Sequence, residues 1–118
     1  MLKECKLALQ VSAPEYEVEI ASLLMAGAND LQIAGVVIPG TVSFSVANDG
    51  TVTDNCTVTD YLIKRALFTY AASRAQWQED SRAERFRNDY EIQKAQLMHA
   101  TGYTDYGEPE EGDDDGET

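Results

Sequence analysis

The chain is poor in the residues on which metal sites depend. It contains two cysteines and one histidine. Structural zinc sites take four ligands, usually cysteine and histidine in closely spaced pairs, and neither Cys5 nor Cys56 has a second Cys or His at ligand spacing beside it. We therefore expect no metal and no other cofactor. We expect both cysteines to be reduced cytosolic thiols, with Cys5 on a helix face.

Basic residues are scarce as well. The 118 residues include 9 Lys plus Arg against 21 Asp plus Glu, which gives a formal net charge of -12 at pH 7. A general nucleic-acid binder needs a surplus of Lys and Arg facing phosphate, so the composition argues against that class. A chain of this length forms one domain with a single modest core, which also excludes a multidomain enzyme.

Long apolar segments are missing too. No apolar run approaches the roughly 18 residues that a membrane-spanning helix needs. The N-terminal residues Met1–Lys6 lack the apolar stretch and the small-residue cleavage site of a secretory signal. We expect a protein that contacts no membrane and stays in the cytoplasm where it is made.

Residues suited to catalysis are few, and no phosphate-binding loop is present. The single His99 lies near a predicted helix end, where it complements the helix dipole. The adjacent acids Glu79 and Asp80 are typical of a solvated turn. We expect no enzymatic activity. An enzyme remains an alternative only if the fold brings His99 beside a carboxylate in a pocket.

The negative charge is concentrated at the C-terminal end. Residues 101–118 carry eight acids and no base, whereas residues 1–100 carry 13 acids and 9 bases. With Gly107, Pro109, Gly112 and Gly116 among like charges, this segment buries too little apolar surface to order alone. It has three interpretations: plain solubility, capture by a basic partner, or mimicry of DNA phosphate. Mimicry needs a rigid framework, so solubility and capture are favoured.

Helical periodicity predicts two helices in the first third of the chain. A short helix lies within Met1–Val11. A longer one starts after Ser12, which can cap it, has Pro14 in its first turn, and runs to about Ile33 with Gly35 as C-cap. The apolar positions of the second helix recur at three- and four-residue steps: Tyr16, Ile20, Leu23, Leu24, Gly27 and Leu31.

A β-hairpin is predicted at about residues 41–53. Residues 41–46 alternate between polar and apolar side chains, Asn48-Asp49-Gly50 is a strong turn signal, and residues 51–53 supply the return strand. Because an isolated hairpin is marginal in water, we expect it to lie on the helices or to pair outside the subunit. Phe44 and Val46 are the residues we predict to make its contacts.

Two further helices follow the hairpin. Thr57 or Thr59 can cap the third, with Asp60 in its first turn, and apolar residues nearly encircle it. Ser81 and Glu84 are spaced as a capping box for the fourth, which ends near Gly102. Its predicted face comprises Phe86, Tyr90, Gln93 and Leu97, widened by Ile92, Ala95 and Met98. The prediction is a mainly α fold with a four-helix domain over residues 1–102 and an acidic tail over residues 103–118.

A local basic cluster surrounds the start of the fourth helix. It has two interpretations: a helix surface balanced by neighbouring acids, or ion pairing between subunits; contact with DNA is the least favoured. The residues concerned are Arg74, Arg82, Arg85 and Arg87 with the acids Glu79, Asp80, Glu84 and Asp89.

The order of helix, long helix, hairpin, helix, helix and tail resembles the head-to-tail connector (adaptor) family of long-tailed bacteriophages and related prophages. Residues 16–31, followed by Gly35-Val36, resemble the long second helix of that family and the turn after it. Residues 61–70 together with residues 85–97 resemble its paired C-terminal helices.

The resemblance implies a structural protein of the virion neck. Such adaptors form a ring, commonly twelvefold, beneath the portal protein, extend the DNA channel toward the stopper and tail, and let DNA pass without sequence-specific binding. An acidic surplus suits such a channel, because negative walls repel phosphate. The C-terminal segment of family members docks on the portal, and this tail is more acidic than theirs. We add Tyr103 and Tyr106 to the arginine cluster and the hairpin as predicted subunit or portal contacts.

A second hypothesis comes from another class of protein. A small acidic inhibitor or regulator would mask a basic site on one partner. The response to salt distinguishes the adaptor hypothesis from the inhibitor hypothesis. The affinity of a charge-masking inhibitor for its partner falls steeply as the salt concentration rises, whereas the stability of a ring built on apolar faces does not.

Overall fold

In the computed structural model, residues 1–103 are described, and they form four α-helices with a two-stranded hairpin between the second and third. This confirms the mainly α architecture. The predicted acidic tail, with Tyr106, lies outside the described residues, whereas Tyr103 belongs to the folded part. The elements are α1 (Leu2–Leu9), α2 (Glu17–Ile33), β1 (Phe44–Val46), β2 (Val52–Asp54), α3 (Tyr61–Arg74) and α4 (Asp80–His99), with 3₁₀ helices at Pro14–Tyr16 and Thr101–Tyr103.

Helix α3 is central, because α1, α2 and α4 all pack on it. Its antiparallel partner α4 buries Ala83, Tyr90 and Leu97 at seven-residue steps, with half-buried Phe86 and Gln93 between them. This spacing is that of a coiled-coil seam, and it confirms the predicted face. Two of the three residues predicted to extend this buried face do not belong to it. Ile92 and Ala95 are exposed because they lie more than a third of a turn away from Tyr90.

Helix α2 crosses α3 at close range. Ile20, Leu24 and Leu31 are fully buried on the predicted stripe. At Gly27 an added Cβ would lie 3.0 Å from Cδ1 of Tyr70, so a larger residue would require the Tyr70 ring to shift by a few tenths of an ångström. Beyond the helix, Gly35 takes φ 96°, which confirms it as the residue that ends α2 in a left-handed turn.

The helix starts differ from those predicted. Asp60, and not Thr57 or Thr59, caps α3, with its Oδ1 accepting a hydrogen bond from the Ile63 amide at 3.1 Å. Asp60 lies directly before the helix in extended conformation and is the stronger capping residue. Ser12 does not cap α2, since a 3₁₀ turn with no side-chain cap precedes that helix.

The bounds of α4, Asp80–His99, lie close to those predicted, but its capping residues were predicted wrongly. Glu79 occupies the N-cap position and makes no side-chain cap bond, so Ser81 already lies inside the helix and no capping box forms with Glu84. At the other end the chain leaves the helix at Ala100 in extended conformation. Gly102 therefore belongs to the 3₁₀ turn that follows and is not the C-cap.

The hairpin is shorter than its sequence pattern. Each strand has three residues, and Phe44 pairs with Asp54 while Val46 pairs with Val52. Phe44 is 9% exposed and belongs to the core of the chain. The prediction that the Phe44 side chain contacts a neighbouring subunit is therefore wrong. Phe44 is an inward-facing residue of β1, and this strand packs on α2 of its own chain. Val46 is 50% exposed, and its contact stays a prediction.

Among residues 1–103, no helix has the length and apolar character that crossing a bilayer requires.

Candidate interaction surface

The predicted arginines are all near the end of the molecule where α3 passes into α4, but they are spread around α4 and do not share one face of it, because Arg85 and Arg87 are two residues apart. Arg74, Arg82, Arg85 and Arg87 are all exposed, and we call them the arginine surface. Two of them lie over aromatic rings. The guanidinium carbon of Arg74 is 5.1 Å from the ring centroid of Tyr70, and that of Arg82 is 5.8 Å from the centroid of Phe86. Aromatic faces therefore orient part of this surface.

The acids predicted to balance these arginines are exposed beside them but do not pair with them. Within residues 1–103, no carboxylate lies within 4.0 Å of the arginine surface. The ion pairs that do form join other cations, such as Lys6 to Glu17 at 2.6 Å and Lys64 to Glu4 at 3.0 Å. The acids concerned are Glu79, Asp80, Glu84 and Asp89.

A groove of about 450 Å³ opens between α1, α3 and α4, next to the arginine surface. Its apolar lining includes Phe68 of α3 and Phe86 of α4. Cationic residues from two helices also line it: Lys64, Arg65 and Arg82. The sequence did not reveal this groove, because its walls come from three segments that only the tertiary fold brings together.

A carboxylate anchors the hairpin to the start of α1. Asp54 Oδ2 accepts hydrogen bonds from the Met1 ammonium at 2.6 Å and from the Leu2 amide at 2.8 Å, and Oδ1 accepts one from the Cys56 amide at 3.0 Å. Burial alone would raise the pKa of Asp54, but these donors outweigh it and hold the pKa well below its usual range. Asp54 thus satisfies the Leu2 amide at the beginning of α1.

The stability of the chain should depend on Asp54 in a pH-dependent way. The folded-state pKa of Asp54 is lower than its unfolded value of about 3.9, so its contribution is present above that pH and is lost as pH falls through the folded-state pKa. We expect Asp54→Asn to lower the free energy of unfolding by about 1 kcal/mol at pH 7. The difference from the parent should shrink below about pH 4. Urea unfolding of the parent and of Asp54→Asn at neutral and acidic pH measures the loss at pH 7 and its decrease on acidification. A loss of unfolding free energy that grows as the pH falls would contradict this assignment.

A second carboxylate connects α2 to α4. Asp30 Oδ2 accepts a hydrogen bond from the Tyr90 hydroxyl at 2.6 Å and one from Lys94 Nζ at 3.2 Å. The Tyr90 side chain is buried, and its ring packs edge-on against Tyr70 with centroids 5.1 Å apart. Burial and the bond to Asp30 raise the pKa of Tyr90 above its usual range. Its hydroxyl therefore stays protonated and acts as a donor.

Tyr103, predicted to contact a partner, is held by its own chain. Its hydroxyl donates to Asp60 Oδ2 at 2.7 Å, and its carbonyl oxygen accepts from the Val37 amide at 2.7 Å. The bond to Asp60 raises the pKa of Tyr103. These contacts fix the point at which the chain leaves the folded domain.

We expect both carboxylate oxygens of Asp60 to contribute to the stability of the fold. Replacing Asp60 with Ala removes the cap of α3 and the acceptor for Tyr103, and should lower the free energy of unfolding by about 1–2 kcal/mol. Asp60→Asn keeps one oxygen for the cap, and Tyr103→Phe removes only the hydroxyl, so each should cost less. Equal losses for all three variants in urea unfolding would show that the cap contributes nothing.

The remaining sequence candidates lie apart from the groove. His99 is exposed in the last turn of α4. Cys5 is buried on the α1 face, as predicted, and burial raises the pKa of its thiol to about 12. In the described part of the chain, no three His, Cys, Asp or Glu residues are grouped so that they could hold a metal ion.

Comparisons with protein-family models, with curated proteins and with solved structures each give no match to this chain.

Proposed function

We propose that the chain is a structural subunit of a phage head-to-tail connector: an adaptor that forms a ring under the portal protein. In this proposal it is a non-enzymatic virion component that extends the DNA channel and offers a platform to the stopper or tail. Its order of elements matches the resemblance seen in the sequence, with the hairpin between the second and third helices.

The observation that carries the proposal is apolar exposure on the outer sides of three helices. Leu7 is 73% exposed, Ile33 77% and Ile92 58%. Each lies two residues after a buried residue of its helix, namely Cys5, Leu31 and Tyr90. Because successive helix residues are about 100° apart, each of these exposed side chains points away from the core of the chain.

A ring suits this distribution. Each subunit of a ring contacts its two neighbours through two different faces, so apolar contacts are needed on more than one side. Isolated exposed aliphatic residues are ordinary on monomers. Their placement on the outer sides of α1, α2 and α4 is what a subunit between two neighbours requires.

Two further features favour assembly. Val46 projects from a hairpin of only two strands in the described chain, so strand edges are available for pairing with an adjoining subunit. The arginine surface has no acidic partner within residues 1–103, which suits ion pairs to a neighbour or to the portal.

Aspartate substitutions on the outer faces test this proposal. Leu7→Asp and Ile92→Asp place a charge in the proposed contacts without touching the core. We expect each to abolish ring formation, alone or on the portal, while circular dichroism stays that of the parent. Thr59→Asp is the matched control, because it adds the same charge at an exposed polar position outside α1, α2 and α4 and should leave the ring intact. Rings that form equally with all three variants would overturn the proposed interfaces.

A further inference from the structure

The strand β1 has one backbone edge that no other segment of the described chain covers. In the ladder to β2, Ser43 and every second residue after it face β2, as the 2.9 Å bond from the Asn55 amide to the Ser43 carbonyl oxygen shows. The residues between them point their N–H and C=O groups away from β2. Among residues 1–103, these outward groups form no backbone hydrogen bond; they belong to Val42, Phe44 and Val46.

This edge lacks the features with which proteins protect exposed strands. Edge strands are commonly blunted by charged side chains or by proline, and residues 40–48 contain neither. They lie within residues 31–48, the longest stretch of the chain without an acid or a base. Two copies of a chain with a net charge of -12 repel each other. An uncharged edge is therefore a place where two copies approach without opposing like charges.

The sequence of this strand is self-complementary. Val42-Ser43-Phe44-Ser45-Val46 reads the same in both directions. When two such strands lie antiparallel about a two-fold axis at Phe44, Val42 of each copy lies opposite Val46 of the other. Ser43 of each copy then lies opposite Ser45 of the other. In this register the outward-pointing residues face one another, so each of these pairs can exchange both of its hydrogen bonds.

Val46 and a cleft beside β1 fit this arrangement. Val46 is 50% exposed and lies on the same face of the hairpin as Phe44, which packs on α2. A cleft of about 320 Å³ lies between α2 and the residues that lead into β1, and Met25 and Val42 line it. Val46 of the second copy, opposite Val42 and on the α2 side of the sheet, would fill this cleft. Phe44 contributes only its backbone, because its ring stays in the core of its own chain.

We propose that two copies of the chain pair through the outer edges of β1, antiparallel about a two-fold axis at Phe44, and form one continuous four-stranded sheet. A two-fold contact uses the same surface on both copies, whereas neighbours in a ring meet through two different faces. The pairing is therefore separate from the ring contacts and does not rest on the adaptor proposal. Because two short strands bury less than the roughly 1,200 Å² of stable complexes, the dimer is weak and exchanges.

Disulfide capture in the full-length chain tests the pairing and its register. Ser43→Cys and Ser45→Cys, both at exposed positions, are made in separate chains that also carry Cys56→Ser, while Cys5 is buried. Directly opposed residues of this kind have Cα atoms about 4.5 Å apart, which a disulfide spans, whereas two copies of one residue lie diagonally at roughly 7–8 Å. In a glutathione redox buffer, the mixture should form the mixed disulfide about tenfold faster than either variant cross-links to itself.

Proline at the two edges of the hairpin supplies a matched pair of controls. Val46→Pro, added to the Ser45→Cys chain, removes an outward amide donor and places a ring on the β1 edge, so it should abolish the mixed disulfide. Val52 pairs with Val46 across the ladder, so Val52→Pro makes the same change at the opposite edge and should leave the cross-linking rate unchanged. Leu7→Asp, which we expect to abolish the ring, should also leave it unchanged.

The comparison between the mixture and the single variants needs no proline, so it decides the proposal even where Val46→Pro does not fold. Equal rates in the mixture and in the single-variant samples would overturn the register. Absence of the mixed disulfide, or an undiminished rate in a folded Val46→Pro chain, would overturn the pairing. Loss of cross-linking in Leu7→Asp would assign the contact to the ring and overturn a separate two-fold pairing.

Discussion

Replacing Leu67 with Ala is expected to lower the free energy of unfolding by about 2–5 kcal/mol. Leu67 is fully buried on α3, the helix on which the other three pack, and its Cδ2 would lie 3.3 Å from a Cβ added at Gly27. Truncation leaves a cavity at the α2–α3 contact that rigid helices close only in part. Urea unfolding followed by circular dichroism measures the loss.

Leu62→Ala is the matched control on the same helix. Leu62 is 39% exposed, so the same truncation removes less buried surface and should cost about 1 kcal/mol or less. Comparable losses for the two variants would contradict the central position of α3 in the core.

Replacing Asp30 with Ala is expected to lower the free energy of unfolding by about 1–3 kcal/mol. The change leaves the buried Tyr90 hydroxyl without its acceptor at 2.6 Å and removes the carboxylate that Lys94 contacts. A buried donor left without a partner costs more than the hydrogen bond itself contributes. Chemical unfolding at pH 7 measures this loss.

The variants Tyr90→Phe and Asp30→Asn separate the two contributions. Tyr90→Phe removes the donor together with its need for an acceptor, and Asp30→Asn keeps an acceptor oxygen, so each should cost less than Asp30→Ala. In the double variant Asp30→Ala with Tyr90→Phe, the loss should be smaller than the sum of the single losses. Strict additivity would show that the two side chains do not interact.

The buried face of a helix was predicted correctly where its apolar residues repeat at regular steps and pack against one core. The stripe of α2 at Ile20, Leu24 and Leu31 and the seam of α4 at Tyr90 and Leu97 are both confirmed. Periodicity is informative here because burial against one neighbour selects one side of a helix. Helix starts were less predictable, because Thr57, Thr59 and Asp60 are all capping residues and the path of the chain decides which one caps.

Neither the groove nor the carboxylate contacts of the core could be predicted, because both join distant segments. Asp54 bonds Leu2 across 52 residues, Asp30 bonds Tyr90 across 60, and Tyr103 bonds Asp60 across 43. No short-range pattern marks such partners. Phe44 shows the same limit: alternation identified a strand with one buried face, but it did not tell whether that face covers this chain's own core or a neighbour's.

Native mass spectrometry of the full-length chain tests the proposed adaptor function most directly, with the chain alone and then mixed with its candidate portal protein. A closed ring of many 13.0 kDa copies in either sample is the result we predict, and its mass gives the number of subunits. A chain that remains monomeric alone and is not captured by the portal would contradict the adaptor proposal and would favour the acidic inhibitor instead.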